Sequence, residues 1–583
     1  MSDRSDHNGA GMKLANGSRV AVVGGGPAGS FFTIFALDLA ERTGLELEVD
    51  ILDPKDFHQA GPAHCNHCGG IVSESLVQIL AAEGISIPTT TVHRGIDSYV
   101  LHTDAGSVRL ETPLQEMRIA AMHRGAGPKG AAVPSGHLGF DGFLQGLAVG
   151  KGARLVCDAV AGVEFREGRP ELIGRNERYG PYDLVVGAVG LNPHSLKVFE
   201  NALGRYRRPT AAKAAICEFR LGADSVHRCL GNSMHTFLLN LPHLTCAAVI
   251  PKGDYATLVV LGSRVDKTLL QSLLRSPALK ALLPDGFVAE EKPACQCLPQ
   301  LNVQAATHPY ADRFVMIGDC GVSKLYKNGI GAAYVTAKAA ASTAVMHGIA
   351  ATDFHRGYRP ACRKMVHDNA VGRLIFAFTS LIQRSRTLQK AVLRMVHKEQ
   401  GKPGARRLMS RVLWDAFTGS APYRDIFVRT LHPVFGFNLL RETIAGILPF
   451  HSPLEDRQVP LRTRELGRRY ADGEIIIREG DEEDCLYVIQ SGEVEVSQTV
   501  EGREVPLARL GKDDFFGETA LFTRCKRTAT VKARGEVRAL TVDRSTLMRT
   551  IQENPSLAFR LLERLSQRVQ ELDQKLAVLR HAG

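Results

Sequence analysis

The apolar run VAVVGGGPAGSFFTIFALDLA at residues 20–40 constrains this chain more than any other feature. Its length would suit a membrane span, yet its glycines stand at Gly24-x-Gly26-x-x-Gly29, after a buried-strand pattern (Val20 to Val23) and before an apolar helix. That order is the strand, tight turn and helix of a dinucleotide-binding unit. Gly24 permits the turn, Gly26 lets the backbone approach a pyrophosphate, and Gly29 allows close helix packing. The helix N-terminus adds unpaired N–H groups and a positive dipole end. A second strand, LEVDILDP, ends on Asp53 at the distance suited to a ribose hydroxyl. The expectation is an α/β fold with a Rossmann-type domain; the alternative is a Gly-rich turn with no ligand.

A chain of 583 residues is too long for one hydrophobic core, which implies two or three domains. Residues 1–18 are polar, lack the apolar core of a signal peptide, and read as a disordered tail. The twelve cysteines are scattered, as suits a reducing compartment, and cytoplasm is the expected location.

At 314–333 the chain reads FVMIGDCGVSKLYKNGIGAA, a short apolar strand, then Gly318-Asp319, then a loop to Gly329-x-Gly331 and an Ala-rich helix. This arrangement resembles the FAD-dependent oxidoreductases related to aromatic hydroxylases and geranylgeranyl reductases. The resemblance implies that Asp319 lies on the flavin ribityl chain and that the backbone around Gly329 and Gly331 faces the pyrimidine edge. A helix N-terminus there favours the negative charge of a reduced flavin. The cofactor domain (19–352) is expected to carry an inserted, strand-rich substrate domain at about 85–310, with strands at SYVLHT, AAICEFRL and TLVVLG. PSGHLGFDGFLQGLA (134–148) resembles the superfamily's F-D-x-x-L helix start, and YDLVVGAVGLNP (182–193) resembles its V-V-G-A-D-G segment with Val189 in the acidic position. That departure weakens a hydroxylase reading.

Two segments bear on the chemistry. TCAAVIPKGDYATLVVLG (245–262) keeps Pro251 but lacks the aromatics of the halogenase and archaeal reductase motifs, and the only tryptophan is Trp414, far away. GPAHCNHCGGIVSESLVQIL (61–80) pulls towards geranylgeranyl reductases, whose Cys-Gly-Gly sequence lies close to the flavin face; Cys68-Gly69-Gly70 matches it. Cys65 completes a C-x-x-C, so a redox disulfide exchanging electrons with the flavin stays open. Metal binding by these thiols with His64, His67 and the C-x-C at 295–297 is a weaker alternative, and no metal is expected. The resemblance implies hydride delivery to a carbon–carbon double bond of a prenyl or other apolar substrate, followed by protonation. No second dinucleotide fold is visible for a nicotinamide, which leaves NADPH visiting transiently, or a ferredoxin-like protein, as donor.

Most of the net charge of +11 sits between Asp353 and Asp415, inside a segment, 353–450, that reads as basic helices mixed with apolar stretches. Two readings stand: peripheral contact with an anionic membrane surface, or a helical cap with a solvated basic face. Nucleic acid is not expected, because no reading motif accompanies the charge. After a linker at 451–462, HSPLEDRQVPLR, residues 463–583 show short strands punctuated by Gly473, Gly480, Gly492 and Gly511, the pattern of a small β-roll.

The stretch FFGETALFTRCKRTATV (515–531) makes this roll resemble cyclic-nucleotide-binding domains. Gly517, Glu518, Ala520, Arg527 and Thr528 stand at the positions of that family's phosphate-binding cassette. Arg527 can neutralise a cyclic phosphate and Glu518 can accept from a ribose 2′-hydroxyl. Thr528 resembles cGMP-preferring members, and cAMP stays open. The last helix places Leu562, Leu565, Val569, Leu572, Leu576 and Leu579 at a/d spacing, which suits either a homodimer seam or a lid on the roll. Three functions compete: a nucleotide-regulated FAD-dependent reductase, a flavin and nucleotide sensor without turnover, and a dithiol oxidoreductase using Cys65 and Cys68.

Overall fold

Strand Ser18–Val23 pairs in parallel with Leu47–Leu52 on one side and Leu184–Gly187 on the other. It sits inside a six-stranded sheet in the order Tyr310–Ala311, Phe314–Met316, Leu184–Gly187, Ser18–Val23, Leu47–Leu52, Arg154–Val156. Only the Tyr310–Ala311 edge runs antiparallel. Residues Val20 to Val22 are buried, as a strand covered on both faces requires. The helices Pro27–Thr43 and Gly329–Met346 pack together, the second rich in alanine, which allows close approach.

The computed structural model describes residues 12–66, 68–111, 116–128, 138–287, 293–400, 402, 407–445, 464–523, 525–553 and 555–581. The start of the tail, the 451–462 linker and His67 lie outside them, as do the side chains of Leu572, Leu576 and Leu579.

Two compact units divide the chain. The first holds Met1–Val72, Thr90–Glu111 and Ala121–Arg464; the second holds Ser73–Thr89, Thr112–Ala120 and Glu465–Gly583. The first contains the parallel sheet and an eight-stranded sheet built mainly from Ser98–Thr103, Thr210–Arg220, Ser233–Leu238, Leu244–Lys252 and Tyr255–Gly262. Its apolar face buries Phe219, Phe237, Leu258 and Val260 against Val226, Leu230, Leu269 and Leu273. Among the described residues six helices follow: Ala351–Gly357, Arg359–Arg384, Arg386–Glu399, Leu408–Thr418, Tyr423–Thr430 and Pro433–Ala445. Among the described residues no helix is long and apolar enough to cross a membrane.

The second unit is a β-roll whose longest strands, Cys485–Val500 and Thr530–Asp543, pair along most of their length around a core of Tyr487, Ile489, Val494, Val531 and Val537. Helices Arg544–Glu553 and Ser556–His581 follow. The same unit includes helix Glu74–Ala82, drawn from the N-terminal part of the chain. This architecture matches the expected mixed α/β class with a Rossmann-type sheet, a helical segment and a C-terminal roll.

Candidate cofactor and nucleotide sites

In the first unit the glycine turn is closed by backbone contacts. Gly24 has φ of 108°, and a Cβ there would meet the carbonyl of Ala188 at 2.5 Å. A Cβ on Gly29 would run into the carbonyl of Gly24. Either substitution forces the strand and helix apart. Gly26 caps the Pro27–Thr43 helix and supplies no side-chain cap.

Asp53, at the end of its strand, is 6% exposed and accepts from the N–H of Gly25 at 2.6 Å and of Lys55 at 2.9 Å. Burial pushes its carboxyl above the ordinary range, and those two backbone bonds work the other way. A carboxylate has more acceptor sites than these bonds use, so a ribose hydroxyl can share it.

Around the turn stands a polar network that sequence reasoning did not assemble. Lys55 Nζ donates to Asn66 Oδ1 at 2.5 Å and to the carbonyl of Cys65 at 3.2 Å. Asn66 Nδ2 donates to Asp141 Oδ2 at 2.5 Å, and Arg124 grips the same carboxylate through Nε at 2.5 Å and Nη2 at 3.0 Å. Asp141 is the acid of the F-D-x-x-L helix start, so that motif was the available signal. Nearby Gln145 Nε2 is buried without a hydrogen-bond partner among the described residues, and a Cβ on Gly25 would run into it. A donor aimed at a glycine cradle fits a dinucleotide whose phosphates approach the backbone.

Gly318 has φ of 64°, and a Cβ there would meet Ala28 Cβ at 2.7 Å, which brings the Gly318-Asp319 turn against the first helix. Burial pushes the Asp319 carboxyl up, opposed by a hydrogen bond from Ser323 and by the charge of Arg124. A Cβ on Gly329 would lie 3.9 Å from Asp319 Oδ1. Asn328, with φ of 55°, caps the Gly329–Met346 helix by accepting from the N–H of Gly331 at 3.0 Å. Just before this cap Lys327 sits with Nζ 4.8 Å from the centre of the Tyr423 ring, and burial pushes its ammonium down to about 7. The loop residues Leu325 and Tyr326 line a cavity of about 510 Å³ with Val303, Gln304, Arg373 and Phe376.

Cys68 accepts from the N–H of Gly70 at 3.5 Å, and Cys65 and Cys68 are both free thiols. Burial opposes the Arg124 cation, but Asp141 and the sulfurs of Cys68 and Cys65 outweigh it and hold Arg124 protonated. Arg124 therefore stands where the Cys-Gly-Gly loop, the F-D helix and the Gly-Asp turn meet. A second buried cluster lies beneath the same loop. Lys252 Nζ donates to Glu218 at 3.4 Å, Thr257 donates to Glu218 at 2.7 Å, and His123 stands 3.7 Å from it. A Cβ on Gly70 would come within 3.0 Å of Lys252 Nζ. Burial pushes the Cys297 thiol up to about 12, with Cys295 and Cys65 adding to the effect, so the C-x-C and the C-x-x-C are neighbours. Among the described residues no group of three or more His, Cys, Asp or Glu could hold a metal ion.

In the second unit the cassette residues come together. Gly517 has φ of 83°, Glu518 opens a short helix, and Ala520 is buried beneath it. Arg527, 3% exposed, donates to the carbonyls of Gly517 and Cys485 at 2.8 Å and to Glu483 at 3.0 Å. Thr528 is exposed. Arg568, from the Ser556–His581 helix, pairs with Glu518 at 3.5 Å, donates to the carbonyl of Phe515, and lies 4.8 Å over the Phe515 ring. The Ser556–His581 helix thus sets Arg568 against the acid expected to hold a ribose.

The end of strand Thr530–Asp543 is fastened to the borrowed segments. Gln78 donates to Asp543 at 3.1 Å and accepts from its N–H at 3.0 Å. Arg118, almost fully buried, donates to Asp543 at 2.5 Å and stands 3.3 Å from Glu74. Glu116 accepts from the N–H and hydroxyl of Thr541 at 2.9 and 2.5 Å.

Comparison with known proteins follows this geometry. Residues 467–554 match the family model of the cyclic nucleotide-binding domain. A CRP-like cAMP-activated global transcriptional regulator of Mycobacterium tuberculosis is 35% identical over 108 residues, 18% of this chain and 48% of the regulator. A cGMP-dependent protein kinase of Caenorhabditis elegans is 40% identical over 107 residues, 18% of this chain and 14% of the kinase. The chain thus spans about half or less of these curated relatives. A geranylgeranyl bacteriochlorophyll reductase-like protein of Thermoplasma acidophilum superposes with a TM-score of 0.51 at 15% identity, over 70% of this chain and 98% of that one. The chain therefore joins a geranylgeranyl reductase-like fold to a C-terminal cyclic nucleotide-binding domain.

Proposed function

We propose that the protein is an FAD-dependent oxidoreductase that reduces carbon–carbon double bonds in a prenyl or other apolar substrate, and that cAMP or cGMP bound to the C-terminal roll regulates it. In this reading Gly24, Gly26 and Gly29 cradle the pyrophosphate with Gln145 as an added donor, and Asp53 holds a ribose. Asp319 takes the ribityl chain, and the backbone of Gly329 and Gly331 faces the pyrimidine edge. When bound, FAD supplies hydride transfer, and the remaining work falls to the protein. The cavity of about 510 Å³ beside Leu325 and Tyr326, lined also by Val303, Gln304, Arg373 and Phe376, offers apolar side chains to an alkene and Arg373 to an anionic head group. Lys327, whose proton is exchangeable near neutral pH, supplies the proton that completes the reduction. NADPH is the first electron donor to try.

Regulation rests on one observation: the Glu74–Ala82 helix belongs to the nucleotide unit, yet only Ile71, Val72 and Ser73 separate it from Gly70 of the Cys-Gly-Gly loop. On the other borrowed segment, Arg118 stands six positions before Arg124. Two short covalent straps thus join the roll to the flavin-proximal residues. A ligand that changes the Thr541–Asp543 anchorage changes the tension on both, so its binding favours one state of the loop.

The test is anaerobic. The protein is loaded with FAD, its flavin absorbance is bleached by a reductant, and a geranylgeranyl compound is added. The proposal expects the colour to return with a hydrogenated product in the mass spectrum; no return with any prenyl compound contradicts it. A dithiol oxidoreductase is the second reading, favoured by Cys65 standing close enough to Cys295 and Cys297 for its charge to act on both. Cys65→Ser abolishing turnover of dithiols alone would select that reading.

A further inference from the structure

Helix Pro433–Ala445 is inverted relative to the usual amphipathic pattern. It buries a carboxylate, Glu442 at 1% exposure, held by Lys398 Nζ at 2.8 Å and by Arg441 at 3.0 Å. Its only other buried side chain is Phe435. Facing solvent are Val434, Phe437, Leu440 and Ile444, spaced by three, three and four residues so that they form one stripe opposite Glu442. The preceding helix, Tyr423–Thr430, buries Tyr423 and Ile426 and leaves Val428 exposed, with Leu431 exposed in the turn that follows. Phe437, Leu440, Ile444, Val428 and Leu431 are each 61–65% exposed.

Scattered exposed leucines need no explanation, but six large apolar side chains on two successive helices form a patch that a water-facing surface does not retain without a use. Charged groups accompany it: Arg424, 55% exposed and 3.3 Å from the half-exposed Asp425, Arg441, 55% exposed over the buried Glu442, and His432 exposed in the turn. The long helix Arg359–Arg384 repeats the pattern, with Val366, Leu374, Phe378 and Leu381 exposed among Arg363, Lys364, Arg373 and Arg384, and Asp368 as its only acid.

We propose that the outer face of Tyr423–Thr430 and Pro433–Ala445 docks on an anionic lipid bilayer, the apolar stripe entering the interface and the flanking cations meeting the head groups. The excess of cations on helix Arg359–Arg384, against a single acid, selects an anionic surface over a second copy of the chain, which would bring the same cations. Apolar side chains with a cationic fringe are what an interfacial helix needs, and the absence of a spanning helix among the described residues leaves surface binding as the mode. The surface stands independently of the flavin chemistry; only the idea that it collects the substrate rests on the proposed reductase.

Flotation of the full-length protein with phosphatidylcholine vesicles, with and without phosphatidylglycerol, tests the proposal. The expected result is binding to the phosphatidylglycerol vesicles alone, weakening as salt rises. The variant Leu431→Ser/Phe437→Ser/Leu440→Ser should bind at least about tenfold more weakly, while Leu298→Ser, an exposed position on the inserted sheet, should bind as the wild type does. Arg424→Gln should cost about fivefold by removing one surface cation. Unchanged cyclic-nucleotide binding shows that each variant is folded, and neither that readout nor flotation requires reductase activity. Wild-type protein that stays with the soluble fraction overturns the proposal. So does a dimer that the triple variant dissociates, which would assign the face to self-association.

Discussion

The two candidate anion cradles of this protein are built on opposite principles. The glycine turn at Gly24–Gly29 uses backbone, is closed by contacts that admit no side chain, and keeps a buried donor, Gln145 Nε2, without a partner among the described residues. The phosphate cassette uses side chains that the protein itself already occupies: Arg527 is spent on Gly517, Cys485 and Glu483, and Glu518 on Arg568. A cradle of the first kind is ready-made, since no internal contact has to be given up for a ligand to enter. One of the second kind must exchange internal contacts for ligand contacts, which lowers affinity but makes occupancy a reversible signal.

The largest effect should come from the rigid cradle. Gly29→Val drives a side chain into the Gly24 carbonyl, and the purified protein should carry almost no flavin by absorbance while its nucleotide binding persists. Next, Lys327→Met should slow product formation by roughly 100-fold. The sign of the pH dependence follows from the direction of the shift. Because burial lowers this group to about 7, the proton donor is present below that pH and lost above it, so the wild-type rate should fall on the alkaline side and the variant should lack that limb.

In the second cradle, Arg527→Ala should weaken cyclic-nucleotide binding roughly 100-fold in calorimetry, since a charge-assisted bond to the phosphate disappears. Some stability should go with it, because two backbone carbonyls lose their donor. The smallest effect carries the opposite sign. Arg568→Ala frees Glu518 and should tighten nucleotide binding by about fivefold, the worth of a partly exposed ion pair. Weakening in that variant would mean that Arg568 serves the ligand and does not compete with it.

The legibility of the sequence follows the same division. The glycine turn, Asp53, the Gly318-Asp319 turn and the cassette were visible because each is a local pattern in which spacing alone specifies geometry. Asn66, Gln145, Arg124 and Glu483 were not, because each acts through a partner distant in the chain, and a single polar residue gives no periodic signal. Least visible was the allegiance of Glu74–Ala82. Its sequence reads as an ordinary helix after the Cys-Gly-Gly loop, and its packing on strand Thr530–Asp543 and helix Arg544–Glu553, with the paired bonds of Gln78 and Asp543, assigns it to the other unit. In the Pro433–Ala445 helix the buried polar side chain, Glu442, was likewise illegible, because its partner Lys398 lies on another helix.

The central claim is that the nucleotide unit governs the flavin-proximal loop through its two straps. The most direct test is the anaerobic rate of flavin bleaching by NADPH, followed by absorbance, with and without saturating cAMP or cGMP. The account predicts that one nucleotide changes this rate and that Gln78→Ala, which loosens Asp543, diminishes the change. Equal rates with and without either nucleotide, in a protein that calorimetry shows to have bound it, would contradict the account.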